Sequence, residues 1–211
     1  MVLRGVDMCG RVVLDNDFKD ILKRYFIEQS QTVSFKKGEG FPGDNLIVAL
    51  NDDKKRLDAF SWGFIVNNKR IINARSETIL QKHLFKEAFI QNRCLIPVNG
   101  FFEWKKEDTK KVKYRIALKG ETIFSLAGIY RDFLEKDGSK KRCVTIITTQ
   151  PNKEMCEIHN RMPVIIDRRD EELYLSKNFD ESLLNLLRPF KDGSLIINRV
   201  DNLHYENISF L

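Results

Sequence analysis

RCLIPVNGFFEW, Arg93–Trp104, packs two strand patterns close together, Arg93–Ile96 and Phe101–Trp104. β-Branched and aromatic residues of this kind suit a pleated, half-buried surface. Strand patterns continue downstream at Val112–Leu118, Thr122–Ile129 and Arg142–Thr149, and close at Ser194–Val200. Val112, Tyr114, Ile116 and Leu118 alternate with polar residues, as one face of a strand requires. Upstream, Leu46–Leu50, Leu57–Trp62 and Arg70–Asn73 read the same way.

Helical spacing is local by comparison. Phe18, Ile21, Leu22, Tyr25 and Phe26 predict an amphipathic helix over Asp17–Gln29. A second is predicted from a Ser76 cap to about Gln91, with Ile79, Leu80, Leu84, Phe85, Ala88 and Phe89 as its apolar side. Pro151 opens a short helix at the tolerated first position. Further helical patterns occupy Asp170–Leu175 and Asp180–Leu187. GEGFPGD, Gly38–Asp44, reads as a loop. No repeat or linker divides the chain, so the expectation is one α+β domain with a mainly antiparallel, curved sheet.

The chain of 211 residues has 42% hydrophobic and 31% charged residues, ordinary values for a globular protein. No apolar run approaches the roughly 20 residues that cross a bilayer. No signal-peptide pattern is present, and the expected location is the cytoplasm. The four cysteines, Cys9, Cys94, Cys143 and Cys156, form no CxxC pair. That spacing argues against a zinc knuckle or a disulfide framework. Cys94, Cys143 and Cys156 lie among apolar neighbours and are expected to be buried thiols. The net charge of +6 suits a phosphate backbone or simply a basic surface. The Lys-rich runs Lys105–Lys113 and Lys136–Arg142 are expected at exposed hairpin tips, and KDGS at Lys136–Ser139 carries an Asp-Gly turn.

Four segments carry polar residues that a core pattern does not call for. MCGR (Met8–Arg11) follows MVLRGVD, Met1–Asp7. If the mature chain starts at Cys9, one carbon skeleton carries a free amine and a thiol. NARSET (Asn73–Thr78) joins a strand to a helix, whose N-terminus would face an anion. Arg75 there offers a planar fork suited to phosphate. In the opening stretch, Glu103 sits between Phe102 and Trp104. Aromatic surroundings can desolvate a carboxylate and fit it for proton transfer; the alternative is a solvent-facing glutamate. EIHNRMP (Glu157–Pro163) places His159 in a turn beside Arg161. Of the other histidines, His83 falls in the second helix and His204 in a polar tail, both expected at the surface. Taken singly, these residues fit a thiol protease or a scatter of polar side chains.

Their order is more specific. MCGR, WGF (Trp62–Phe64), NARSET, RCLIPVNGFFEW, AGIY (Ala127–Tyr130), TIITTQPN (Thr145–Asn152) and IHNRMPVII (Ile158–Ile166) together resemble the SOS-response-associated peptidase (SRAP) family, also called abasic-site processing proteins. The resemblance covers Met8 to about Ile166. It implies an α+β domain over residues 8–211, with a bifurcated, partly barrel-like sheet flanked by helices. Residues 1–7 are then an upstream start or an expression remnant, with a cleaved propeptide as the alternative. The resemblance assigns catalysis to Cys9, Asn73, Glu103 and His159. It assigns phosphate contacts to Arg11, Arg75 and Arg161. Trp62 and Trp104 are candidates for a stacking surface, with core packing as the alternative. The implied partner is single-stranded DNA carrying abasic sites, bound by a monomer; no metal or organic cofactor is implied.

The chemistry suits an N-terminal cysteine. The ring-opened abasic sugar is an aldehyde, which an amine attacks to give an imine. A neighbouring thiol then closes a thiazolidine, a covalent protein–DNA cross-link. Two alternatives remain at this point. A cysteine peptidase would use Cys9 as thiolate with His159 as base to cleave a peptide bond, such as one in its own N-terminal segment. A non-enzymatic nucleic-acid-binding domain would need only the arginines.

Overall fold

The computed structural model describes residues 9–28, 30–135 and 137–200; His204 and the segment before Cys9 lie outside them. Strand β1 (Arg11–Leu14) leads to α1 (Phe18–Arg24) and β2 (Gly38–Gly40). Then come β3 (Asn45–Asn51), β4 (Lys55–Trp62), β5 (Phe64–Val66), β6 (Lys69–Ile71) and β7 (Asn73–Arg75). Helix α2 (His83–Gln91) precedes β8 (Arg93–Val98), β9 (Gly100–Glu107), β10 (Lys110–Leu118), β11 (Phe124–Leu134) and β12 (Lys140–Thr149). The remaining elements are α3 (Lys153–Cys156), β13 (Met162–Pro163), β14 (Ile165–Ile166), α4 (Glu171–Tyr174) and β15 (Leu195–Arg199).

Two large sheets organise most of these strands, and β5 and β6 pair separately as a two-stranded sheet. The first is antiparallel throughout, in the order β15-β10-β9-β1-β2. The second runs β13-β12-β4-β3-β8-β11-β14. Its β11 and β12 also pair with each other, so β12, β4, β3, β8 and β11 form a circuit. The circuit is only partly closed, because β3 meets β8 at the single pair Ala49↔Leu95. This is the expected α+β architecture with a partly barrel-like sheet. Most pairings are antiparallel; β12 runs parallel to β4 and β7.

Strands shared between layers are apolar on both faces, as doubly covered strands must be. In β3, Leu46, Val48 and Leu50 join a cluster with Val12, Phe101 and Ile116 of the first sheet. Ile47 and Ala49 face the other way, into a cluster with Ile21 of α1, Phe85 and Phe89 of α2, and Tyr174 of α4. Gly128 in β11 permits close approach: a Cβ there would sit 2.8 Å from Cys94 Sγ.

Several expectations are corrected. The first helix stops at Arg24, not Gln29. Phe26 turns to a φ of 54°. Its N–H bonds Lys23 O at 3.2 Å, and Ile27 N–H bonds Leu22 O at 2.9 Å. This is a Schellman ending with phenylalanine where glycine is usual. Phe26 is therefore 76% exposed and Ile27 takes the buried place. The helix expected from Ser76 is broken: Ser76–Thr78 forms one 3₁₀ turn, and α2 starts at His83 with no side-chain cap. Pro151 does not open α3; Asn152 caps it, accepting from Met155 N–H at 3.0 Å. Part of the Gly38–Asp44 loop is strand β2. Glu181–Leu186 is 3₁₀ rather than α-helical. Cys94 and Cys143 are buried, but Cys156 is exposed at the end of α3. Among the described residues, no helix is long and apolar enough to cross a membrane.

Candidate active site

Strand β9 has β1 on one side and β10 on the other, and Glu103 stands opposite Tyr114. Alternation puts Glu103 on the face of Phe101, away from Phe102 and Trp104. That face packs into the apolar cluster between the sheets, so Glu103 is 1% exposed. The solvent-facing alternative for Glu103 is thereby corrected. The register Arg11↔Phe102 brings the start of β1 alongside Glu103. Cys9, itself 1% exposed, donates its N–H to Glu103 Oε1 at 2.6 Å. Burial pushes the Cys9 thiol well above its ordinary range, and the charge of Glu103 pushes it the same way.

His159 arrives from the other sheet. The turn after α3 is fixed by His159 N–H bonding Met155 O at 2.8 Å. It is fixed at its far end by β13, where Pro163 pairs with Thr148 of β12. His159 Nδ1 lies 4.0 Å from Glu103 Oε1. The same nitrogen accepts from Arg161 N–H at 3.2 Å. Burial holds the imidazole below its ordinary pKa; the hydrogen bond with the Arg161 backbone opposes this, and the Arg161 charge adds to it. Cys9, Glu103 and His159 thus converge from three distant parts of the chain.

The candidate DNA-contacting residues divide. β7 runs parallel to β12, with Asn73 opposite Ile146 and Arg75 opposite Thr148. Asn73 is half-buried and Arg75 exposed. Thr148 is therefore flanked by Arg75 and, through β13, by the turn that carries His159. Arg161 is buried and bound: Nη1 and Nη2 donate to Glu77 at 2.5 and 2.9 Å, and Nη2 to Thr148 O at 2.8 Å. Arg11 donates to Glu39 at 2.8 Å and lies 3.7 Å over the Phe41 ring and 5.7 Å from that of Trp104. Trp104 is half-buried. Trp62 is not a stacking surface: it is 0% exposed, and its indole N–H is satisfied by Ile72 O at 3.1 Å. His83 is at the surface, as expected.

Three participants were not singled out from the sequence. Glu77 grips Arg161, and Glu39 bridges Arg11 and Lys113. Lys113 lies 3.9 Å over the Phe102 ring, within cation–π range. Glu77 stands inside NARSET, two residues from Arg75, and that proximity was the available signal. No cluster of three or more histidine, cysteine or acidic residues suited to a metal occurs among the described residues.

The model of the SOS response associated peptidase (SRAP) family matches residues 8–203. The chain is similar to the abasic site processing protein YoqW of Bacillus subtilis, 36% identical and covering 93% of both chains. It is 30% identical to the Escherichia coli abasic site processing protein YedK, covering 75% of each. A crystal structure of a Bacteroides thetaiotaomicron protein superposes with a TM-score of 0.82 at 28% identity, over 92% of this chain and 93% of that one. The motifs, the partly closed sheet and these matches agree: the chain belongs to the SOS response associated peptidase family.

Proposed function

We propose that the protein begins at Cys9 in its mature form and captures abasic sites in single-stranded DNA as a thiazolidine cross-link. The observation that carries this is the 2.6 Å contact between Cys9 N and Glu103 Oε1, both residues being buried. A free amine at that position would hand its ammonium proton to Glu103 and become nucleophilic. The amine attacks the aldehyde carbon, and water leaves to give the imine. The S–H of Cys9 then adds across C=N: the sulfur bonds carbon and the proton ends on nitrogen. His159 is the second proton carrier, neutral near pH 7 because burial lowers its pKa. No step needs a metal or an organic cofactor. Arg75 and Arg11 are proposed to face the DNA backbone, with Trp104 beside Arg11; Arg161, buried with both Nη atoms on Glu77, is not among them. Asn73, half-buried at the start of β7, orients the terminus or the sugar. The names of the relatives, abasic site processing proteins, support this reading.

A peptidase using Cys9 as thiolate has less support. Such a nucleophile needs a lowered thiol pKa. The Cys9 thiol is pushed the other way, and His159 Nδ1 faces the Arg161 backbone.

The test compares a chain beginning at Cys9 with one retaining Met1–Met8. An amide nitrogen shares its lone pair with the preceding carbonyl and forms no imine. The Cys9-first chain should give a heat-stable shifted band with an abasic oligonucleotide on a denaturing gel. A chain shown by intact mass to keep Met1, yet giving that band, would sink the mechanism.

A further inference from the structure

Glu77 links the buried site to the surface. Glu77 holds both Nη atoms of Arg161 in a bidentate grip. This is the strong, directional form of the carboxylate–guanidinium pair. Arg161 is also fixed by Thr148 O, and its side chain is 8% exposed against 39% for Glu77. Gln150 Nε2 donates to Glu77 Oε1 at 3.2 Å, tying the carboxylate to the end of β12. The backbone of Arg161 meets the imidazole at the atom that faces the catalytic carboxylate. Arg161 N and O lie 3.2 and 3.3 Å from His159 Nδ1, and Glu103 Oε1 lies 4.0 Å away.

We propose that Glu77 is a positioning residue, which through the Arg161 side chain fixes the His159–Arg161 turn and so holds His159 Nδ1 against Glu103. Glu77 itself touches none of the reacting atoms in this role. The consequence for rate rests on the abasic-site capture proposed above; the consequence for His159 does not. Without the grip, Arg161 keeps the Thr148 contact but loses the carboxylate that sets its plane. The turn then relaxes at the residue hydrogen-bonded to the imidazole.

The experiment uses Glu77→Gln, which keeps the size of the side chain, and Glu77→Ala as a second variant. The first readout is the His159 imidazole resonance in the free protein by NMR, with surface His83 as internal reference. Both variants should shift or broaden His159 and leave His83 in place. The second readout is the rate constant for capture at saturating abasic DNA by the Cys9-first chain. It should fall by ~10- to 10²-fold, the scale of a misplaced catalytic group. In an Arg161→Ala background, Glu77→Gln should add nothing further, since the two act as one unit. An unchanged His159 resonance in correctly folded variants overturns the proposal. So does a normal capture rate, or a further loss on top of Arg161→Ala. If the unsubstituted Cys9-first chain captures nothing, the functional reading fails by itself, and the His159 resonance alone decides for or against the positioning role.

Discussion

The backbone nitrogen of Cys9 and the carboxylate of Glu103, ninety-four residues apart in sequence, meet at 2.6 Å in the apolar layer between two sheets. Glu103→Gln keeps the side-chain shape and removes the proton acceptor. The expected result is capture of abasic single-stranded DNA slowed by ~10²–10⁴-fold, the usual contribution of a proton carrier, with binding of intact DNA nearly unchanged. Stopped time courses on denaturing gels measure the rate. Capture at the unsubstituted rate would remove Glu103 from the mechanism.

The thiols should sort by burial. Cys9, Cys94 and Cys143 are buried, and burial pushes each of their pKa values up. Cys156 is exposed. Brief alkylation of the folded chain at neutral pH, followed by peptide mass mapping, should mark Cys156 first and leave Cys9 largely unmodified. Equal labelling of Cys9 and Cys156 would contradict the raised thiol pKa and restore weight to the peptidase reading.

His159 gives stability a pH dependence of definite sign. Its folded pKa lies below the unfolded value of about 6.5. Between the two, the unfolded chain binds more protons, so stability falls as pH drops from about 6.5 towards the folded pKa. His159→Gln cannot take up the proton and should flatten this part of the curve. Denaturant midpoints at several pH values between 7 and 5 provide the check, and parallel curves for the two proteins would refute it.

Arg75 is the exposed arginine on β7, beside the end of β12. If it contacts phosphate, Arg75→Ala should weaken binding to single-stranded DNA with little regard to sequence. The slope of log K against log salt should become shallower by about 0.7. A fluorescence titration over a range of salt tests this, and an unaltered slope would leave Arg75 without a phosphate.

Gly100 begins β9 where there is no space for a side chain: a Cβ would lie 2.7 Å from Ile116 O. Gly100→Ala must push β10 away from β9 or shift β9 itself. The expected cost is about 1–3 kcal/mol in chemical denaturation, typical of forced overpacking. A denaturation midpoint equal to that of the unsubstituted chain would show that the strands accommodate the methyl group.

The strands were largely legible because period-two patterns and apolar runs report burial directly. Arg93–Ile96 and Phe101–Trp104 lie within β8 and β9. The errors occur where a distant partner overrides a local signal. Residues 76–91 have helical spacing, yet Arg75 is paired with Thr148 and Glu77 is held by Arg161, so the chain makes only a 3₁₀ turn before restarting at His83. Phe26 fits the helical period but takes the left-handed position of a helix ending, which no apolar pattern reveals. In the site, the residue types at Cys9, Glu103 and His159 drew attention, while their proximity did not follow from spacing. Trp62 and Trp104 look alike in sequence; only the packing of β4 and β9 separates a core tryptophan from a half-buried one.

The convergence of Cys9, Glu103 and His159 also sets an order of events during synthesis. Cys9 leaves the ribosome well before Glu103 and before the β13 anchor of the His159 turn. Contacts this distant in sequence form only after the intervening chain has been made. Under the proposed mechanism, a growing chain carries its cysteine for most of translation without the carboxylate and imidazole assigned to activate it. Topology would then limit premature reaction with cellular aldehydes, since that mechanism needs contacts made only when the two sheets pack together.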